Sequence, residues 1–122
     1  MTKGMLLGFV ALAIGFSASA QTKIDASQAP FYNGKDVVAC GVVKQTTRFK
    51  RGVYLNINER YPKQPLTLVI WENSMGSFNE RFGSIDKLLN QQVCAQGTVN
   101  QYKGRSQISL YNAYSLNLST KL

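Results

Sequence analysis

Residues 93–111 constrain the fold more than any other stretch of this sequence, because they have the pattern of two β-strands joined by a tight turn. Small or apolar residues occupy every second position of residues 93–99. Ile108 and Leu110 alternate with polar residues beyond the turn, which is the period of a half-buried strand. Between the strands, Gly104 can adopt the positive φ angle that a tight hairpin needs. The tip of the predicted hairpin holds Tyr102, Lys103 and Arg105.

A weaker copy of this strand pattern lies upstream, in residues 34–43. When Gly41 is aligned with Gly97, valines fall at matching positions in the two stretches. A glycine inside a strand often marks a bulge or a sharp bend, and a small closed barrel needs such bends in its long strands. The two stretches therefore predict a pair of bent strands near the two ends of one folded region.

The two cysteines of the chain, Cys40 and Cys94, lie in these two strands. In the same alignment they have equal parity, so both side chains can point to one face of a sheet. We therefore predict a disulfide. Its loop of about 54 residues would stabilise the fold by roughly 4 kcal/mol through lost entropy of the unfolded chain. The alternatives are two buried free thiols or a metal site, although two thiolates without any histidine do not complete a zinc shell. We expect no bound metal and no cofactor.

The first residues have the pattern of a secretory signal peptide. Lys3 precedes an apolar run at residues 5–16, and residues 17–20 end in an Ala-x-Ala cleavage signal. We predict cleavage after Ala20 and a periplasmic or secreted protein with no membrane span after cleavage. The alternative is a membrane-anchoring helix, for which the apolar run is short, because a bilayer span needs roughly 20 residues.

The charge balance of the chain indicates the kind of partner it would bind. The 122 residues include 14 Lys and Arg against 6 Asp and Glu, which gives a formal net charge of +8. Such a balance favours polyanionic partners such as nucleic acid, acidic polysaccharide or an anionic membrane surface. The alternative is that the charge only keeps an exported protein in solution.

The upstream copy belongs to a predicted first strand of residues 36–46. Residues 53–58 and the run that begins at Leu66 alternate apolar and polar side chains, as half-buried strands do. In the last of these runs the register places Trp71, the single tryptophan, on the outer face.

Residues 74–89 change to a spacing of three or four residues between apolar side chains, which predicts a helical segment. Ser77 and Glu80 have the spacing of a capping box. Gly83 is expected to break the segment, and Ser84 can cap a second short turn.

The order strand, strand, strand, helix, strand, strand predicts a mostly β fold. It matches a five-stranded Greek-key OB-fold barrel with a short helical segment between strands 3 and 4. In such a barrel the first and fourth strands are neighbours, which would bring the two cysteines together. The predicted divisions are a cleaved signal peptide at 1–20, a lead-in at 21–35, the barrel at 36–118 and a frayed tail at 119–122.

Short motifs in these strands also resemble exported bacterial OB-fold domains of the nucleic-acid-binding type. They are the glycine-valine pattern around Gly41, the start of the second strand at Gly52, and residues 97–108. The resemblance covers about residues 24–118. It implies a surface of sheet and loops that holds single-stranded nucleic acid. Similar periplasmic OB-fold proteins form an alternative for which nucleic acid is not the expected ligand.

The resemblance implies a binding surface on the outer face of strands two and three, flanked by the loops between strands one and two and between strands four and five. Cations there would follow phosphates, and flat side chains would stack on bases for roughly 1–3 kcal/mol each. These places hold Lys44, Arg48, Phe49, Lys50, Arg51, Tyr54, Asn56, Thr67, Trp71, Tyr102, Lys103 and Arg105. The alternatives are that Tyr54 and Trp71 are ordinary sheet surface and that Phe49 packs into the barrel end.

We therefore expect an exported protein that binds single-stranded nucleic acid or a similar extended polyanion. The alternative is a periplasmic protein-interaction or envelope-stress module with an envelope protein partner and no nucleic-acid ligand. We do not expect an enzyme, because the chain has no histidine, the commonest general base, and no serine or cysteine nucleophile signature. Glu59 and Arg60 lack the accompanying pair of aspartates that a thermonuclease-like calcium site would need.

Overall fold

A computed structural model describes residues 21–119 of the chain. The predicted signal peptide lies outside these residues, as does the predicted tail except for Ser119. The strands of the described part are β1 (Thr22–Asp25), β2 (Asp36–Phe49), β3 (Gly52–Ile57), β4 (Leu66–Trp71), β5 (Gln92–Thr98), β6 (Asn100–Tyr102), β7 (Arg105–Leu110) and β8 (Leu116–Leu118). Its α-helix is α1 (Met75–Phe82), and its 3₁₀ helices are Ala26–Tyr32, Glu72–Ser74, Ile85–Leu88 and Ala113–Ser115. Within this range no helix has both the length and the apolar character needed to cross a bilayer.

The strands form one sheet in the order β6-β7-β4-β3-β2-β5-β8, and β1 pairs with β2 outside this path. The 14-residue strand β2 connects the two halves of the sheet. Its first half pairs with β1 and β5, and its second half pairs with β3. A register shift between Val43 and Gln45 marks the change of partner. Because one strand belongs to both halves, the sheet curls around a single core.

The fold is mostly β, as predicted, but the prediction of a closed five-stranded barrel was wrong. Within residues 21–119 the sheet has eight strands and is open, because β6 and β8 end its hydrogen-bonded path. The prediction had no counterpart of β1 and did not separate β6 from β5. β6 is separate from β5 because the backbone of Val99 leaves the strand pair. It donates its N–H to Lys35 O and accepts the N–H of Gly34.

The alternating residues of β3 and β4 supply the centre of the core, as their pattern predicts. Side chains of one parity point to the interior and are almost completely buried, because successive residues of a strand point to opposite faces. Phe78 of α1 and the inward side chains of β7, the strand beside β4, belong to the same core. The largest buried side chains include Leu55, Ile57, Leu66, Leu68, Ile70, Phe78, Ile85, Ile108 and Leu110.

The helical region breaks where the sequence predicts. α1 ends at Phe82, and Gly83 follows with a φ angle of 85°. The hydroxyl of Ser84 then accepts the backbone N–H of Asp86 at 3.2 Å and caps the 3₁₀ helix Ile85–Leu88. Both predictions about this break are confirmed.

The predicted capping box of Ser77 and Glu80 is wrong. α1 begins at Met75, so Ser77 lies inside the helix instead of preceding it. Its hydroxyl donates to the carbonyl of Ser74 at 3.0 Å. The 3₁₀ helix Glu72–Ser74 follows β4 directly, and α1 therefore begins two residues before Ser77.

A capping box does occur at the first 3₁₀ helix, Ala26–Tyr32. The carboxylate of Asp25 accepts the N–H of Ser27, and the side chain of Gln28 accepts the N–H of Asp25. The hydrogen bonds from Ser27 hold the pKa of the Asp25 carboxyl below its ordinary value. This cap fixes the change of direction between β1 and the helix.

Cys40 and Cys94 form a disulfide between β2 and β5, as predicted. The two residues are directly opposed in the antiparallel register, with their Cα atoms 4.0 Å apart. This pairing also confirms that the first and fourth predicted strands are neighbours. Neither thiol is free within residues 21–119.

Gly41 of β2 and Gly97 of β5 allow neighbouring side chains to pack against the backbone of the two strands that the disulfide joins. A Cβ atom on Gly41 would lie 2.5 Å from Ile57 Cγ2 and 2.6 Å from the side-chain oxygen of Asn58. A Cβ atom on Gly97 would lie 2.6 Å from Ile108 Cγ2. The register shift itself comes after Gly41, so this glycine allows β3 to approach β2 instead of forming the bulge.

The disulfide is expected to stabilise the protein because it closes a long loop. Cys40 and Cys94 are 54 residues apart in sequence. We expect the double variant Cys40→Ala/Cys94→Ala to lose about 2–4 kcal/mol of unfolding free energy, measured by urea denaturation. The reduced wild-type protein should match the variant. Equal midpoints for oxidised and reduced wild-type protein would contradict this expectation.

Two glycines should respond to alanine substitution with opposite signs. Gly41→Ala places a methyl group against Ile57 and should cost about 1–3 kcal/mol of unfolding free energy. Gly76→Ala is the matched control, because Gly76 is exposed in α1 with no atom within 4 Å of its added Cβ. It should stabilise the protein by up to about 1 kcal/mol. Thermal and urea unfolding of both variants measure the difference, and a tolerated Gly41→Ala would show that β3 is free to shift.

Candidate functional site

The outer face of the sheet carries a row of polar side chains that crosses four strands. Gln45 of β2 opposes Asn56 of β3, Asn56 opposes Thr67 of β4, and Thr67 opposes Gln107 of β7. On β3, β4 and β7 their neighbours in sequence are buried on the core side, so the alternation of these strands places the row on the opposite face. The register of the sheet thus aligns amide and hydroxyl groups side by side.

A continuous chain of hydrogen bonds joins most of this row. Gln64 Nε2 donates to Thr67 Oγ1 at 3.1 Å, and the Thr67 hydroxyl donates to Asn56 Oδ1 at 2.7 Å. Asn56 Nδ2 donates to Gln45 Oε1 at 2.8 Å, and the same oxygen accepts the backbone N–H of Tyr61 at 2.8 Å. We call the four side chains of Gln45, Asn56, Gln64 and Thr67 the polar ladder.

The polar ladder forms the floor of a groove of about 380 Å³. Asn56 and Thr67 are each only 4% exposed, so these two predicted site residues lie on the predicted face but beneath its surface. The predicted site residues that line the groove are Tyr54, Asn56, Thr67, Tyr102, Lys103 and Arg105.

Two tyrosines with cations on their rings line this groove. The Arg105 guanidinium lies 4.7 Å from the centre of the Tyr61 ring, and Lys103 Nζ lies 5.3 Å from that of Tyr102. Arg105 also donates to the carbonyl of Pro62 at 3.0 Å, which ties the tip of the β6–β7 hairpin to the β3–β4 loop. Both rings remain more than half exposed. Flat and positively charged groups are therefore accessible at one end of the face.

The predicted hairpin turn positions this end. Lys103 and Gly104 have φ angles of 52° and 79°. The positive φ of Gly104 is the one that the predicted tight turn needs. The turn joins β6 to β7 and holds Tyr102 and Arg105 as a directly opposed pair.

Three aromatic rings form a cluster in the middle of the outer face. Phe49 stacks on Tyr54 with ring centres 4.2 Å apart, and its ring lies edge-on to Trp71 at 5.9 Å. Trp71 donates its indole N–H to Ser109 Oγ at 3.1 Å. Phe49 therefore lies half-buried on the outer face, and the alternative of packing into the barrel end is wrong.

A second concave surface lies beyond this aromatic cluster. We call it the Trp71 recess, and it has a volume of about 660 Å³. Thr67 and Trp71 have the same parity on β4, so the recess and the groove share one face, about 13 Å apart along the strand. The recess is lined by Lys50, Arg51, Trp71, Glu72, Asn73 and Tyr111.

Two predicted site residues lie apart from both surfaces. Arg48 opposes Val53, whose side chain is in the core, so Arg48 lies on the other side of β2. Its guanidinium lies 3.5 Å from the Asp86 carboxylate, the single ion pair within residues 21–119. Lys44 is exposed beside the register shift of β2 and does not line the groove.

The prediction missed five residues that line the groove. Gln45 and Thr47 lie on β2, which continues to Phe49. The predicted first strand stopped at Thr46, so Gln45 was near its end and Thr47 was outside it. The alternation of β2 and β7 was the signal that could have identified three of the five. The other two lie in the β3–β4 loop, where no periodic pattern exists. The five are Gln45, Thr47, Tyr61, Gln64 and Gln107.

The sequence matches no protein-family model and no curated protein. Among solved structures, the chain is similar to an OBody bound to hen egg-white lysozyme. The identity is 15%, the match covers 89% of this chain and 100% of that chain, and the TM-score is 0.55. It is also similar to asparaginyl-tRNA synthetase from Pyrococcus horikoshii complexed with asparaginyl-adenylate. Here the identity is 24%, the match covers 73% of this chain and 20% of that chain, and the TM-score is 0.53.

These likenesses support an OB-fold and, at such low identities, show the fold alone. The chain spans about a fifth of the synthetase that it matches. The OB-fold part of the predicted resemblance is therefore confirmed, while its bacterial and exported parts stay predictions.

The polar ladder should contribute to stability as a unit. Asn56→Ala leaves the buried Thr67 hydroxyl without its acceptor, and we expect a loss of about 1–3 kcal/mol in the free energy of unfolding. Gln107→Ala, in the same groove but outside the ladder, should change stability by less than half of that. Adding Thr67→Val to Asn56→Ala should cost less than the sum of the single changes, measured by a double-mutant cycle in urea. Additive effects would show that the ladder does not act as a unit.

Proposed function

We propose that this protein binds single-stranded nucleic acid, or an extended polyanion of similar chemistry, along the outer face of β3 and β4. One observation carries the proposal. A single face holds two concave surfaces, with aromatic rings between them and cations at both ends. This is the combination that single-strand binding requires, because cations follow the phosphates while flat side chains stack on bases.

The positions of the cations support an extended ligand. Lys103 and Arg105 lie at the groove, and Lys50 and Arg51 lie at the Trp71 recess. Thr67 at the groove and Trp71 at the recess are about 13 Å apart along β4, a distance that several linked charged units would span but a single small anion would not. The ligand is therefore expected to cross the aromatic cluster between them.

The comparisons support this class of ligand only by analogy. One structural neighbour is a tRNA synthetase, a protein named for a nucleic-acid substrate, and folds host many unrelated functions. The proposal rests on the residues of this face, which supply the chemistry without the analogy.

We also propose that the protein acts outside the cytoplasm and is not an enzyme. The disulfide between Cys40 and Cys94 supports an oxidising compartment, since such bonds persist outside reducing cytosol. The pattern of a signal peptide in residues 1–20 is consistent with this location. The absence of histidine from the sequence supports a role in binding.

A protein-interaction module is the second candidate, favoured by exposed tyrosines beside the face. Tyr111 lines the Trp71 recess and is 72% exposed, and Tyr114 is 75% exposed nearby in the chain. The OBody to which this chain is similar in fold is bound to a protein, hen egg-white lysozyme. An envelope protein, including one in a stress response, would bind through this side.

Titration of the single tryptophan tests the leading proposal. Single-stranded oligonucleotides should change Trp71 fluorescence saturably, and the affinity should fall steeply as salt increases. Lys103→Asn should weaken binding and reduce the salt slope by about 0.7 for one lost phosphate contact. Asparagine tolerates the positive φ of this turn, so the fold should be kept.

Lys23→Asn is the matched control, because it makes the same charge change on exposed β1, outside the groove and the recess. It should leave the salt slope unchanged. If no oligonucleotide binds at low salt, while an envelope protein copurifies at high salt, the second candidate replaces the first. Equal effects of the two lysine variants would show that only net charge matters.

A further inference from the structure

The direction of every hydrogen bond in the polar ladder follows from one backbone group. The Tyr61 N–H can only donate, so the Gln45 atom that it contacts must be the carbonyl oxygen. The Asn56 group that contacts this oxygen must then be the amide N–H₂. Asn56 therefore presents its oxygen to Thr67, whose hydroxyl must donate. The Thr67 oxygen then accepts an N–H of the Gln64 amide.

This fixed direction places one acceptor at the free end of the polar ladder. Gln64 uses its N–H₂ group on Thr67, so its Oε1 cannot exchange places with the nitrogen without breaking the chain. Oε1 is buried and has no hydrogen-bond donor among the described residues. Buried acceptors without a donor are uncommon in folded proteins because the desolvation of the oxygen is not compensated. Gln64 also lines the groove, so a ligand that displaces the side chains covering Oε1 would supply the missing donor.

We propose that Gln64 selects the base of the bound strand, with Oε1 accepting an N–H of a nucleobase amino group. This inference rests on the proposed function and names which part of the ligand the groove contacts. The groove suits a base better than a phosphate, because its floor consists of neutral amide and hydroxyl groups. The rings of Tyr61 and Tyr102 at the same groove provide flat surfaces for stacking.

A single acceptor at this position discriminates between the two pyrimidines. Cytosine carries an amino group at the ring position where thymine carries a carbonyl oxygen. The Gln64 oxygen would accept a hydrogen bond from cytosine, whereas thymine would place a second acceptor against it. Adenine also has an amino group on this edge. The groove is therefore expected to prefer cytosine and adenine over thymine.

Competition between two homopolymers tests the inference. Oligodeoxycytidine and oligodeoxythymidine of equal length carry the same phosphates, so their comparison isolates the base. At mildly alkaline pH, where cytosine N3 is neutral, the wild-type protein should bind oligodeoxycytidine roughly 2- to 10-fold more tightly, the effect of one hydrogen bond. Gln64→Met, which has similar size but no amide, should bring this ratio close to one.

Two further variants distinguish the loss of the Gln64 oxygen acceptor from a general effect of substitution on binding. Gln64→Glu loses the amide that donates to Thr67 but keeps oxygen acceptors at the groove, so the preference for cytosine should survive while the negative charge weakens the binding of both polymers. Gln96→Met replaces an exposed amide on β5, outside the groove, and should leave both affinities unchanged. Thermal unfolding of each variant checks that the fold is intact.

The outcomes distinguish this inference from the function on which it rests. Equal, salt-sensitive binding of both polymers by the wild-type protein would overturn base selection and leave the proposed function standing. A preference that persists in Gln64→Met would also overturn it, because another residue would then be responsible. If the wild-type protein binds neither polymer at low salt, the proposed function fails and base selection fails with it.

Discussion

The structure depends on the change of partner within β2, because one strand has to serve both halves of the sheet. Where a strand leaves one neighbour for another, its backbone N–H and C=O groups lose their inter-strand hydrogen bonds. Here residues 58, 90 and 91 supply the missing partners. Val42 N–H donates to the side-chain oxygen of Asn58, and Val42 O accepts the Asn58 N–H. Val43 N–H donates to Gln91 O, and Val43 O accepts the Asn90 N–H. These bonds allow the strand to turn from β5 to β3 without burying unpaired polar groups.

Sequence patterns predicted the elements whose stability comes from alternation or from local backbone chemistry. β3, β4, the hairpin at Gly104 and the helix break at Gly83 belong to this group. The short strands β1 and β6 were not predicted as separate strands, since three or four residues give too few repeats for a period to appear. Their positions follow from long-range contacts, such as the binding of Val99 to residues 34–35. The open edges of the sheet at β6 and β8 likewise depend on long-range contacts and not on a local sequence pattern.

The candidate site was predictable to the extent that it lies on regular strands. Tyr54, Asn56, Thr67 and Trp71 occupy the expected face because parity determines it. Arg48 lies on the other side of β2, since the predicted loop residues belong to a strand that continues to Phe49 and therefore alternate in direction. Tyr61 and Gln64 come from a loop. Their places depend on a hydrogen bond to Gln45 and on the fold of the whole β3–β4 connection, which no local pattern records.

The polar ladder has a consequence for how this face can evolve. Its four side chains share one direction of donation, and the Tyr61 backbone N–H, which a side-chain substitution does not alter, sets that direction. A substitution at one rung that reverses donor and acceptor would oppose the next rung, whereas paired substitutions would preserve the chain. Among descendants that keep this groove, positions 45, 56, 64 and 67 are therefore expected to covary. The cations at the two ends do not belong to this chain of hydrogen bonds, so it does not tie their substitutions to one another.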